Sequence, residues 1–200
     1  MRRETRRGAE TRTRMLQTAT KLFHHQGLYA ISVDDILEQS RTGKSQFYYY
    51  FKNKEGLVHA VLFDFYTRLR NNQAPIKTKI QSWQDLEEWF GFFLKFQQQS
   101  RCELSCPVGT IGNDVTSDQE LLRQDVRLIL DLMNRSLVDF FTLMKGKKRL
   151  SPKADPQALA DFCLCIMEGG LLLGKIRRET EPFRNSIIHA MKYLKSIARL

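Results

Sequence analysis

No run of apolar residues in this chain approaches the roughly 18 that a membrane span needs, so no membrane partner is expected. The N-terminus is basic but no apolar stretch stands behind it, which excludes a secretory signal and predicts a soluble, cytoplasmic protein. Cysteine is sparse, with four residues at 102, 106, 163 and 165. Their C-x3-C and C-x-C spacings lack the C-x2-C pairs or histidine partners of zinc sites, and the four histidines (24, 25, 59, 189) are not grouped near them. Free thiols and no metal are therefore expected. No alternating apolar–polar pattern marks a strand, and neither an internal repeat nor a low-complexity segment is evident. No Ser/His/Asp or paired-carboxylate spacing supports catalysis, so neither an enzyme nor a cofactor is expected. Gly43-Lys44-Ser45 has the end of a phosphate-binding loop, but the glycine required earlier is Glu38 and no strand precedes it.

Helical periodicity fills the chain instead, and the pattern predicts an all-α fold of about nine helices. Met1 to about Glu10 is Arg-rich without apolar periodicity and reads as disordered. It is either an arm for the DNA backbone or minor groove, or a solvated tail. A first helix runs from about Glu10 to Gln26 and ends at Gly27. Asn53 caps a long helix to about Arg70. The polar stretch 71–81 follows, and it divides an N-terminal part, 1–70, from a larger part, 71–200. Ser82 opens an aromatic helix to about Ser100, and residues 102–115 read as a kinked helical piece. A Ser117–Glu120 capping box starts a helix to about Lys145, stopped by Gly146. Asp155 with Pro156 starts the next, to about Arg178, and Thr180 to Pro182 starts the last.

The excess charge of +10 is concentrated at the start, since residues 1–55 hold 11 Lys/Arg against 6 Asp/Glu. Such an excess suits phosphate binding when a suitable motif lies within it. Ser32 to Leu57 supplies one. Ser32 and Asp35 form a capping box, Val33, Ile36 and Leu37 give a short helix its apolar side, and Ser40 to Gly43 is turn chemistry, with Gly43 free to take a positive φ. A second short helix follows from Lys44 to Phe51. At about 100° per residue, with Phe47 at zero, Phe51 lies near 40° and Tyr50 near −60°, toward a core. Ser45 and Tyr49 fall on the opposite side, flanked by Gln46 and Tyr48, and Lys44 occupies the first turn. This acid-free face offers hydroxyls, an amide, rings and a lysine to base edges and phosphates, as a helix-turn-helix reader does.

From about Arg12 to Leu62 the chain resembles the DNA-binding domain of the TetR family of bacterial transcriptional regulators. The resemblance rests on Met15, Leu16, Ala19, Leu22 and Phe23, on Gly27, on Ser32 to Ile36, on the Phe47-Tyr48-Tyr49-Tyr50-Phe51 block, and on Lys52-Asn53-Lys54-Glu55 before Leu57. Gly43-Lys44-Ser45 replaces the more frequent Ser-Lys-Gly order, and Tyr50 stands where many relatives carry histidine. The resemblance implies a homodimeric, ligand-responsive repressor, associated with the nucleoid, whose two readers lie about 34–36 Å apart on an inverted-repeat double-stranded DNA operator. Lys44, Ser45, Gln46, Tyr48 and Tyr49 would contact the operator, and Ser32, Tyr50 and Lys54 would hold phosphates. The last two helices would form the dimer interface, with Cys163, Ile166, Gly169, Gly170 and Gly174 allowing close approach. A small apolar or amphiphilic inducer would be lined by Trp89, Phe93, Phe96, Cys106, Met133, Met167 and Lys175.

Cys106-Pro107-Val108-Gly109, Gly170 to Lys175 and Glu181-Pro182 are similar to the branch related to the repressor of N-ethylmaleimide reductase. In that branch a cysteine at the Cys106 position, helped by a lysine at the Lys175 position, is implicated in sensing electrophiles or oxidants. A thiol sensor using the same reader is therefore the alternative, with a plain buried Cys106 beside it. A helical binding module or enzyme without specific DNA binding is the remote one.

Overall fold

The structure, a computed structural model, describes residues 6–198. Among them nine α-helices form all the regular structure: α1 (Arg6–Gln26), α2 (Val33–Ser40), α3 (Lys44–Phe51), α4 (Lys54–Arg70), α5 (Trp83–Gln99), α6 (Pro107–Asp114), α7 (Glu120–Gly146), α8 (Pro156–Arg177) and α9 (Glu181–Ser196). No strand occurs among the described residues, only an isolated antiparallel bridge between Leu150 and Ala198. The expected all-α class and helix order hold. No described helix is long and apolar enough to cross a membrane.

The chain forms two compact units. The first comprises residues 6–67 with Pro107–Arg127, and the second Arg68–Cys106 with residues 128–198. In the first, α1 buries Met15, Leu16, Ala19, Leu22 and Phe23, whose spacing of three and four residues makes one continuous stripe. Ile36 and Leu37 of α2, Phe47 and Phe51 of α3, and Leu57, Val58, Val61 and Leu62 of α4 complete this core. In the second unit the core is larger and more aromatic. Trp89 and Phe90 of α5, Phe140 and Phe141 of α7, Met167 and Leu171 of α8, and Phe183 of α9 are all almost completely buried.

Three local expectations are corrected. Arg6–Glu10 is not disordered: it forms the first turns of α1, with an Arg6–Glu10 ion pair at 3.2 Å, while residues 1–5 of the expected arm lie outside the described residues. Gly43 does not take a positive φ. It is the extended N-cap of α3 at φ −98°, and Arg41 takes the left-handed conformation at φ 52° that ends α2. The Ser117–Glu120 capping box does not form, because Thr116 N–H donates to the side chain of Gln119 (3.1 Å) and Glu120 is drawn to Arg123 and Gln124.

Candidate functional site

α3 is fixed by two side chains. Phe47 and Phe51, one turn apart, are buried, and their rings lie 5.7 Å apart. Most of the remainder turns outward: Lys44, Ser45, Gln46, Tyr48 and Tyr49 are exposed, Tyr49 at 72%. The five predicted base contacts thus share one surface. Gln46 also accepts the Gly43 N–H (3.3 Å), which closes the first turn. Tyr50 is half-buried, with its ring edge-on to Tyr49 at 5.0 Å. The surface is not wholly acid-free, as sequence reasoning held. Asp34, from the first turn of α2, reaches Lys44 Nζ at 3.0 Å and holds that amine above the usual lysine range. Only folding brings these two residues, ten apart in sequence, to one edge of the reader.

Of the three phosphate candidates, two have internal partners. The Ser32 hydroxyl accepts Asp35 N–H (3.1 Å), while the Asp35 carboxylate accepts the Ser32 hydroxyl (2.6 Å) and the Ser32 N–H (2.7 Å); these last two bonds, the hydroxyl's first, keep the Asp35 carboxyl below its ordinary range. Lys54 is half-buried and donates to the Leu28 carbonyl oxygen, and burial lowers its pKa. The N–H of the same residue, Leu28, donates to Asp114 Oδ2 at 2.6 Å. The backbone of Leu28, in the α1–α2 connection, is therefore gripped on its N–H by the end of α6 and on its C=O by the start of α4. Gly27 fits this grip for two reasons. Its φ is +81°, and an added Cβ would meet Asp114 Oδ2 at 2.7 Å. Sequence reasoning missed Asp114, which is 86 residues from Leu28 and carries no motif. In the same unit His59 of α4 meets Asp125 of α7 at 2.6 Å.

In the second unit, Trp89, Phe93, Cys106, Met133 and Met167 are buried, whereas Phe96 and Lys175 are half-buried. Trp89 and Phe93 lie edge to face at 5.0 Å. Two polar side chains missed from sequence accompany them. Gln97 is fully buried, and its Nε2 donates to the carbonyls of Leu171 (3.1 Å) and Gly170 (3.4 Å). Glu168 accepts a hydrogen bond from the Cys106 thiol, and burial pushes its carboxyl pKa up. Oε1 of Gln97 and Oε1 of Glu168 are both shut off from solvent without a hydrogen-bond partner among the described residues. Burial likewise pushes the Cys163 thiol up to about 12.

The small residues of α8 need a second reading. A Cβ at Gly170 would meet the Phe183 ring at 2.1 Å, and one at Gly174 would meet the Gln97 amide at the same distance. These glycines therefore admit α9 and α5 of the same protomer. The apolar side chains left exposed on the last two helices are Phe162, Leu172, Leu173 and Ile176 of α8 with Ile188 and Tyr193 of α9.

Residues 15–61 match the model of bacterial regulatory proteins of the tetR family, and residues 83–188 match that of the LmrA/YxaF-like transcriptional regulator C-terminal domain. An uncharacterised HTH-type transcriptional regulator in the lacX 3′ region of Lactococcus lactis is 24% identical over 179 residues, 84% of this chain and 85% of that protein. The HTH-type transcriptional repressor NemR of Escherichia coli K12 is 24% identical over 188 residues, 90% of this chain and 92% of that protein. Among solved structures, a TetR transcriptional regulator from Chloroflexus aurantiacus superposes with a TM-score of 0.83 at 22% identity, over 98% of this chain and all of that one. With an exposed reading helix in its first unit and family models matched across both, the chain belongs to the TetR family of bacterial transcriptional regulators, with an LmrA/YxaF-like C-terminal domain.

Proposed function

We propose that this protein is a ligand-responsive repressor that binds an inverted-repeat DNA operator as a homodimer and is released by a small apolar or amphiphilic inducer. The carrying observation is the exposed face of α3, on which Lys44, Ser45, Gln46, Tyr48 and Tyr49 stand free of the core while Phe47 and Phe51 hold the helix down. Hydroxyl and amide groups read base edges, the rings pack on thymine methyls and sugars, and Lys44 reaches guanine or phosphate. Ser32, Tyr50 and Lys54 hold phosphates at the borders of the reader. For Lys54 this requires exchanging the Leu28 carbonyl for a phosphate oxygen. The exposed apolar side chains of α8 and α9 supply the dimer contact. Trp89, Phe93, Phe96, Cys106, Met133, Met167 and Lys175 line the inducer site. The relatives in the comparison are regulators, and nothing in this reading requires catalysis.

The ligand reading is preferred to a thiol switch because Cys106 is buried, whereas reactive cysteines sit in partly exposed surroundings. Selection from a random duplex pool at near-physiological salt tests the function: one inverted repeat should be enriched, and salt-sensitive binding without a consensus would overturn it. Replacement of Cys106 by serine should then leave release from that operator by electrophiles no different from the parent.

A further inference from the structure

A groove runs between α1 and the C-terminal end of α2, with a volume of about 450 Å³, lined by Arg14, Gln17, Thr18 and Lys21 of α1 and by Gln39 and Arg41 of α2 and its cap. The stripe that α1 buries leaves Arg14, Gln17 and Lys21 on the opposite side of the helix, at spacings of three and four residues. Arg41 completes the basic lining from the left-handed position that ends α2, two residues before the N-cap of α3. No acidic residue lines the groove. Lys44 and Lys54 of the same unit are engaged, by Asp34 and by the Leu28 carbonyl, but the side chains of Arg14, Lys21 and Arg41 have no ion-pair or hydrogen-bond partner among the described residues.

We infer that this groove is a second DNA-backbone surface, which takes phosphates flanking the operator half-site read by α3. Three unengaged cations interleaved with amide and hydroxyl donors match a row of phosphodiesters, which offers acceptors only and one negative charge at each step. Chain continuity joins the groove to the reader, since Arg41, Thr42 and Gly43 lead directly into Lys44. The inference rests on the DNA-reading role of α3. It adds affinity that depends on duplex length and not on sequence.

The test uses the full-length protein with its selected operator in two duplexes. One ends at the edges of the inverted repeat, and the other extends about ten base pairs beyond each edge, roughly one helical turn. The parent protein should bind the longer duplex about tenfold more tightly, with a steeper salt dependence of about 0.9 per additional phosphate contact. The triple variant Arg14→Gln, Lys21→Gln, Arg41→Gln should bind the short duplex as the parent does and lose the gain on the long one. The charge-retaining variant Arg14→Lys, Arg41→Lys should keep most of it. Equal binding of both duplexes by the parent, or equal losses on both by the triple variant, would overturn the flanking surface while leaving the reader intact. Failure of the parent to prefer any operator would instead remove the reader and this surface together. Tripolyphosphate is the remaining arm. Thermal stabilisation by it that vanishes in the triple variant, without any duplex-length effect, would make the groove a small-anion site and overturn the proposal.

Discussion

α3 and α8 use their residues in opposite ways. α3 commits two phenylalanines of its eight residues to the core and turns most of the others to solvent. α8, 22 residues long, buries Cys163, Met167, Gly170, Leu171 and Gly174, and draws Gln97 and the Cys106 thiol against itself. A reading surface thus needs few anchors and tolerates change on its outer face. A helix that seats other elements against its own backbone tolerates almost none. Binding and stability should separate in α3 and move together in α8.

The largest effect is expected where that tolerance is least. Gly170→Ala drives a methyl group into the buried Phe183 ring, and urea unfolding should show a loss of about 3 kcal/mol, the upper end of ordinary overpacking. Gly91→Ala is the matched control. It is a helical, exposed glycine with nothing within 4 Å of the added carbon, and it should gain about 0.5–1 kcal/mol from helix propensity. If the two alanines behaved alike, the close fit of α9 on α8 would be wrong.

Next comes Tyr49→Ala. With 72% of its surface exposed, Tyr49 leaves no cavity, so unfolding should shift by less than about 0.5 kcal/mol. Operator affinity should fall by about 1–3 kcal/mol for each half-site, with the dimer intact. An unchanged Kd would remove α3 from the interface, whereas a matching loss of stability would erase the contrast with α8.

The two helices were also unequally legible. α3 was readable because its job is periodic: two phenylalanines at i and i+4 fix which face is inside, and the exposed face follows from helix geometry alone. The capping box at Ser32 was equally visible, since both partners lie within four residues, but the box at Ser82 was not read and the one read at Ser117 does not form. Asp34 beside Lys44, Asp114 on Leu28, and Gln97 and Glu168 along α8 were not visible. Each depends on how separate elements pack together, and a polar residue on a helix reads as solvated until its neighbour is known. Gly170 and Gly174 of α8 were recognised as sites of close approach, though Gly169, read the same way, has nothing within 4 Å, and the spacing of small residues does not say which helix approaches. Here α5 and α9 of the same protomer do.

Glu168 sharpens the contrast through pH. Burial raises its folded pKa above the ordinary 4.5, so the folded state holds this proton more tightly than the unfolded chain does. Its stabilising contribution is complete below about pH 4.5 and is lost as pH rises through the folded value. Glu168→Gln should therefore be more stable than the parent near neutral pH, and the advantage should shrink as pH falls toward 4.5. Asp85 has the opposite sign. Lys77 first, then the Gln81 N–H, hold its carboxyl at about 2, so its contribution is present above pH 3.8 and fades below. Unfolding of parent and Glu168→Gln at matched pH isolates Glu168, because Asp85 is common to both. A constant difference across pH would mean that Glu168 titrates normally and is not confined.

The smallest expected effect bears on the outer face of the reader. The Asp34–Lys44 pair is exposed on both sides, and such a pair contributes little to folding. Its consequence for DNA is of another kind. A phosphate approaching Lys44 must displace Asp34 and tolerate its negative charge, so Asp34 opposes every phosphate equally and weakens non-specific binding most. Base contacts can offset that penalty at the operator alone. Asp34→Asn keeps the side-chain shape and removes the charge, so unfolding should change by only a few tenths of a kcal/mol, partly from the lost favourable charge in the first turn of α2. Affinity for random-sequence duplex should rise about two- to fivefold, roughly what one surface charge pair supplies, and operator affinity should rise less, so that discrimination falls. A variant whose affinities both stay at parent values would mean that Lys44 does not meet phosphate. The first turn of α3 would then have to be withdrawn from the interface, and base reading would rest on Tyr48 and Tyr49.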